Sequence, residues 1–290
     1  MRISLKNRRK TKKTAALCLA AVCAAALWVP AGTRTVYGAD QSSKDSTEES
    51  DLSEYELSAD LISGVVESVV RVVETEGKLI TAIMIYPRRM DYSLPSFPEV
   101  LQNPELPKGC EITALTMLLN YYGYDIDKVE LSDRYLPKAR ENLHNGADGK
   151  LVGTDLNEFF IGDPKGDGHV CGSGAIVTAA NNYLEEQGSD RWAISQNGAT
   201  TEKLYQLVCH GIPVIVWVTI DMAERNTPTG WHTEAGDYVD WSTNDHTAVL
   251  IGYTEKTVRI ADPLEGVVEY DKDKFEAAFE SRSRQCVILQ

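Results

Sequence analysis

The stretch LPKGCEITALTMLLNYYGY, residues 106–124, sets a cysteine directly before a run with helical periodicity. Ile112, Leu115, Leu118, Leu119 and Tyr122 recur at helical spacing, and Gly123 stands where the helix would stop. A helix therefore opens at or beside Cys110, which puts the thiol near unpaired backbone N–H groups and the positive end of the helix dipole. Both favour thiolate over thiol, and reactive cysteines occupy such positions. Gly109 adds no side chain to the approach to the sulfur, which leaves room for a substrate carbonyl. A small buried residue could open a helix equally well, so the other cysteines and the available bases decide the matter.

Cys209 sits at the C-terminal end of a helical run, TEKLYQLVCH, where the dipole opposes thiolate, and Cys286 lies in the strand-like run QCVILQ. Cys171, in GHVCGSGA, is the one serious rival, because a helix follows it and His169 is two residues away. A thiol nucleophile needs a base, and the base needs an orienting partner. His144 belongs to a polar loop, His210 ends a helix where it can bond the last carbonyls, and His232 is ambiguous. His246 opens the apolar run HTAVLIGY directly after the turn STND, so a strand would hold its ring at a sheet edge. Taken alone, a histidine there is more often structural. A hairpin with KTVRIADP would bring Asp262 back towards it, and that aspartate could fix the imidazole tautomer. The alternative role for Asp262 is turn formation with Pro263. Gln102, eight residues before Cys110, carries an amide that could help the Cys110 backbone N–H bind a developing oxyanion. Metal binding through His169, Cys171, Cys209 and His210 lacks any CxxC or HxxxH spacing. No metal or cofactor is expected.

The elements that must position these residues fall into two groups. Helical runs cover the segment after Cys110, Ala175 to Glu186 closed by Gly188, and Thr201 to His210 closed by Gly211. Short β-branched runs follow at 213–220, 246–253, 256–262, 266–270 and 285–290, each bounded by Gly, Pro, Asn or Asp. Helices first and strands afterwards indicate an α+β domain with an antiparallel sheet. The Pro-rich interval 87–107 is expected to carry no regular structure.

Five segments taken in order, LQNPELPKGCEITALTMLLNYYGY, HVCGSGAIVTAANNYL, GIPVIVWVTI, DHTAVLIGY and ADPLEGVVEYDKDKFEAAF, resemble the secreted relatives of cysteine-peptidase family thirty-nine. That family includes bacteriocin-leader processing peptidases. The resemblance covers residues 90–290 and implies a papain-like fold, with a helical half followed by an antiparallel sheet half. It implies Cys110 as nucleophile, His246 as general base and acid, Asp262 as orienting residue and Gln102 as oxyanion donor. The local cysteine signature of papain itself is absent, as are a GxxxxGKS/T loop and a set of membrane spans. Processing of double-glycine leaders therefore does not transfer.

Residues 1–39 carry a basic start and an apolar run from Ala15 to Val29 with no acidic residue, the pattern of an export signal. An acidic, Ser-rich linker over 40–60 and a short extension over 61–89, helix or hairpin, precede the peptidase-like domain of 90–290. Beyond residue 39 the chain holds 21 basic against 43 acidic residues. Such a surface repels phosphate backbones and anionic lipids, which disfavours nucleic-acid partners and leaves an uncleaved signal segment as the route to a membrane. Four cysteines remain after processing, too few for a disulfide-stapled scaffold. The expectation is a secreted or cell-surface thiol hydrolase acting on a peptide or protein. An acyl-transferring crosslinker uses the same residues, and a non-catalytic binding module would keep the fold without turnover.

Overall fold

The computed structural model describes the backbone of residues 66–75 and 78–87 and all of 91–290. The expected signal and linker, 1–39 and 40–60, lie outside the described residues, as does part of the 61–89 extension. Within that extension, β1 (Val66–Thr75) and β2 (Lys78–Pro87) pair antiparallel, with Val66 opposite Pro87 and Thr75 opposite Lys78. The segment is thus a hairpin, and it belongs to a unit separate from residues 90–290.

The larger unit is α+β. The Cys110 helix, α1 (Cys110–Tyr121), is followed by a short α2 (Lys128–Arg134), α3 (Ser173–Glu186), α4 (Thr201–Cys209) and α5 (Lys272–Ser281). Its main sheet runs in the order β14 (Gly266–Asp271), β13 (Thr257–Asp262), β12 (Asp245–Tyr253), β9 (Val214–Thr219), β15 (Cys286–Leu289) and β8 (Ala193–Ser195), every pairing antiparallel. The Pro-rich interval is not wholly irregular. Tyr92–Ser93 forms β3 and pairs with Gly252 and Tyr253 of β12, because β9 pairs with β12 only as far as Leu250 and leaves the rest of that edge open.

All six residues of β9 are buried, which is why VIVWVT reads as one continuous apolar run rather than an alternation. Helix α1 packs on β12 and β9, with Leu115, Leu118 and Leu119 at 0% exposure. Each such leucine contributes about 2 kcal/mol of burial, so the helix carrying Cys110 is fixed to the strand carrying His246 by the centre of the core. Gly109 has a packing duty as well. A Cβ there would come within 2.8 Å of the Leu106 Cβ, so a side chain would push α1 off its seat.

The segments between α2 and α3 and between β9 and β12 make smaller structures: a parallel pair of β4 (Lys138–Ala139) with β7 (Phe160–Ile161), and a sheet ordered β11 (Tyr238–Trp241), β10 (Thr229–His232), β6 (Leu151–Val152), β5 (His144–Asn145). Leu156, Ile161, Val170 and Trp231 form a satellite core beneath them.

Candidate active site

Cys110 is the first residue of α1, partly exposed, and its helix has no side-chain cap. On the sheet side, His246 and Asp262 are buried, at 3% and 2% exposure. Strands β12 and β13 form the hairpin that joins them: Val249 lies opposite Ala261, and the chain returns so that His246 Nε2 meets Asp262 Oδ1 at 2.8 Å. With Nε2 committed to the carboxylate, Nδ1 is the imidazole nitrogen left for proton transfer. Asp262 Oδ1 also accepts the Leu264 N–H at 2.8 Å, a turn-forming bond within Asp-Pro-Leu, so the aspartate orients the ring and shapes the turn together. Burial alone would raise the Asp262 carboxyl; the hydrogen bond and charge of His246, with the N–H groups of Leu264 and Glu265, hold it below its usual range.

Gln102 reaches this neighbourhood through its backbone, which donates to Pro263 O at 2.8 Å. Its side chain is 3% exposed and turns towards the α1 approach, where Nε2 donates to Pro107 O at 2.9 Å. The loop is held from below by Lys128, a buried lysine at the start of α2, which donates to the carbonyls of Leu101 and Gln102 and pairs with Glu105 at 2.7 Å.

The surroundings of the thiol act against the field of the helix N-terminus. Burial pushes the Cys110 thiol well above its ordinary value, and the charge and hydrogen bond of Glu111 push the same way; the Thr247 backbone N–H offsets this only in part. Sγ donates to Glu111 Oε2 at 3.3 Å, so among the described residues the thiol's side-chain partner is a carboxylate rather than the imidazole. Glu111 is 1% exposed, and its other oxygen accepts the Cys171 N–H at 2.9 Å. Burial raises the Glu111 carboxyl, against the lowering influence of the Cys171 N–H and of His246. The Cys171 carbonyl is held in turn by Trp217 Nε1 at 2.9 Å.

Cys171, the rival nucleophile, is fully buried, and burial pushes its thiol well above the ordinary value. Cys286 is buried in β15, and Cys209 donates to Gln206 O at 3.2 Å on α4. Cys110, Cys171 and Cys286 are free thiols. His144 is exposed and faces Glu234, His169 lies against the Trp241 ring, His210 bonds Gln206 O, and His232 packs against Tyr238. Among the described residues no group of three or more His, Cys, Asp and Glu could hold a metal ion. A cavity of about 350 Å³ opens beyond Cys171 and Gly172, towards Arg282 and Gln285.

A family model described as the Peptidase_C39 like family matches residues 95–287. The chain belongs to this family. A solved C39-like peptidase from Bacillus anthracis is 31% identical, with a TM-score of 0.60 over 69% of this chain and 97% of its own. The uncharacterized protein YvpB of Bacillus subtilis (strain 168) is 30% identical over 190 residues, 64% of this chain and 71% of that one. The peptidase domain of Streptococcus ComA, a bifunctional ABC transporter, overlaps with a TM-score of 0.40 at 15% identity. Membership in the C39-like family and the α+β fold agree with the resemblance seen in the sequence. Among the described residues, no helix is long and apolar enough to cross a membrane.

Around this C39-like site lies a polar framework that sequence reasoning missed. Asp245, the residue before His246, accepts from Arg225 Nε at 2.9 Å, pairs with Arg282 Nη1 at 3.0 Å and accepts the Ser242 N–H at 2.8 Å. Asp240 pairs with Arg225 Nη2 at 2.6 Å. Nothing in the spacing of residues 225, 240, 245 and 282 signals that they meet. Asp245 side-chain exposure is 2% and that of Arg282 4%, so removing one partner strands buried charge. Asp245→Ala is expected to cost about 3–5 kcal/mol, read as a shift in the urea midpoint, and to loosen the start of β12 where His246 sits. A change under 1 kcal/mol would mean that the framework contributes little to the fold.

Proposed function

We propose that the protein is an exported cysteine peptidase that hydrolyses peptide bonds through an acyl-enzyme. The observation that carries this reading is the buried His246–Asp262 pair at 2.8 Å, its imidazole on β12, a strand against which the Cys110 helix packs. In it, the Cys110 proton passes to His246 Nδ1 and the sulfur lone pair attacks the substrate carbonyl carbon. Asp262 fixes the imidazole tautomer and stabilises the imidazolium. The oxyanion is met by the Cys110 N–H, one of the first helical donors with no intrahelical partner. A primary amide has two donor hydrogens, and Gln102 spends one on Pro107 O, so the second is available to the same oxyanion. His246 then gives the proton to the leaving amine as the C–N bond breaks, and a water, deprotonated by the same ring, releases the acyl group.

Several features support the reading: the order Cys, His, Asp along the chain, the partial exposure of Cys110 against the burial of Cys171, and the name of the Bacillus anthracis relative, a C39-like peptidase. The proposed organisation is an export signal over 1–39, a linker over 40–60, an extension over 61–89 and the peptidase over 90–290. Peptide or protein is the substrate class, at or beyond the cell surface. The test is to incubate the purified protein with a degenerate peptide library, map new termini by mass spectrometry, and search acid-quenched samples for a peptidyl adduct on Cys110. Cleavage with a Cys110 adduct is expected. No cleavage of any peptide, with no adduct, would leave a binding module in its place.

A further inference from the structure

We propose that Glu111 is a further functional residue of this site, one that competes with His246 for the thiol proton of Cys110 and so holds the free protein in a resting thiol form. The proposal rests on the reading of Cys110 as nucleophile and adds a residue to it. A thiol has one hydrogen, so it donates to one acceptor at a time. Here that hydrogen is directed to Glu111 Oε2 at 3.3 Å. The carboxylate is held where it is by a second bond, from the Cys171 N–H to Oε1 at 2.9 Å, and by the burial of its own helix turn. An acid in this position is costly to bury. A negative charge beside the sulfur also opposes thiolate, the reverse of what the helix N-terminus supplies.

The groups that face Glu111 come from every element around it: Cys110 on its own helix, Cys171 from the loop before α3, His246 on β12, and Arg282 after α5, with Asp262 on β13 acting on the same thiol. The charge of His246 draws the Glu111 carboxyl down, after burial, which raises it, and the Cys171 N–H, which lowers it. Moving the proton from Glu111's hydrogen bond to His246 Nδ1 produces the thiolate–imidazolium pair and leaves the Glu111 carboxyl unchanged. No atom is gained or lost and nothing is oxidised.

A purely structural carboxylate would need only Oε1, to tie down the Cys171 loop. Glu111→Gln separates the two roles, since its amide oxygen can still accept from Cys171 while the charge and the acceptor beside Sγ are gone. The measurement is the rate of iodoacetamide alkylation of Cys110 in the full chain against pH, quantified by peptide mass mapping. In the native protein, labelling is expected to rise above the ordinary thiol range. In Glu111→Gln the same curve is expected to move at least one pH unit to the acid side, about tenfold faster labelling near neutrality. Superimposable curves overturn the proposal. Should Glu111→Gln not fold, the native curve alone decides, because a midpoint at or below about 8.5, the free thiol value, is incompatible with a thiol held by Glu111. The nucleophile assignment fails separately, if Cys110→Ala still cleaves peptide.

Discussion

Cys110→Ala is expected to lower kcat/KM for peptide hydrolysis by at least about a thousandfold, with the fold unchanged. The loss is large because no other described thiol can take over: Cys171 and Cys286 are buried, and Cys209 is bound on the outer helix α4 to Gln206 O. What survives is the oxyanion donors and the binding surface, which act on water attack only weakly. Cys110→Ser should fare little better, since a hydroxyl has a far higher pKa than a thiol and the Glu111 carboxylate beside it opposes the alkoxide further. Stability should change by under about 1 kcal/mol, because Cys110 is partly exposed and helix α1 is anchored by Leu115, Leu118 and Leu119. Turnover on a fluorogenic peptide and a melting curve read the two effects apart. Retained turnover would remove the thiol from the mechanism altogether.

His246→Ala carries the second large effect, on rate and on stability together. Loss of the general base should reduce the rate by about 10²–10⁴-fold. The same substitution strips Asp262 of the group that holds its carboxyl down, while its burial remains. In the native protein the folded Asp262 value lies below that of the unfolded chain, near 3.9. Its contribution to stability is therefore present above that pH and is lost as pH falls through the folded value. Without His246 burial dominates and the carboxyl rises, so the variant should be penalised most at neutral pH. The stability gap between the two proteins should close as acid neutralises Asp262. Melting temperatures across pH 3–7 test this; a gap that is constant with pH would mean that the pair is not coupled to folding. Asp262→Asn makes an informative companion, since its amide oxygen can still accept from His246 and Leu264, and it should cost less than Asp262→Ala.

Much of the scaffold was legible. Helices α1, α3 and α4 announced themselves by apolar spacing and closing glycines, and Gly123, Gly188 and Gly211 all have positive φ, the conformation that ends a helix at low cost. Strands β9, β12, β13, β14 and β15 fall within one or two residues of the expected runs. Helix α2 escaped because it buries a lysine, Lys128, and relies on the Asp127 side chain capping Val129 and Glu130 rather than on an apolar stripe. Helix α5 shows only Phe275, Ala278 and Phe279 inward, with Asp271 as its cap, too short a pattern to stand out beside so many charges. In the site, the hairpin logic pointed from His246 to Asp262. The state of the thiol was not legible, because helix position supplies one field and Glu111 another. Whether an acidic neighbour faces the sulfur or the solvent depends on where the Cys171 loop lies, and that is fixed by tertiary contacts sixty residues away.

The Lys128 ammonium, one of the ties on the 101–107 loop, has an outcome for how the Gln102 wall keeps its shape. Lys128 belongs to the first turn of a seven-residue helix, so that short coil shares with Pro263, which accepts the Gln102 N–H, the task of holding the wall that carries Gln102. Unwinding α2 by one turn would release two backbone carbonyls and the Glu105 side chain together, and the Gln102 wall would slacken before the core or the imidazole did.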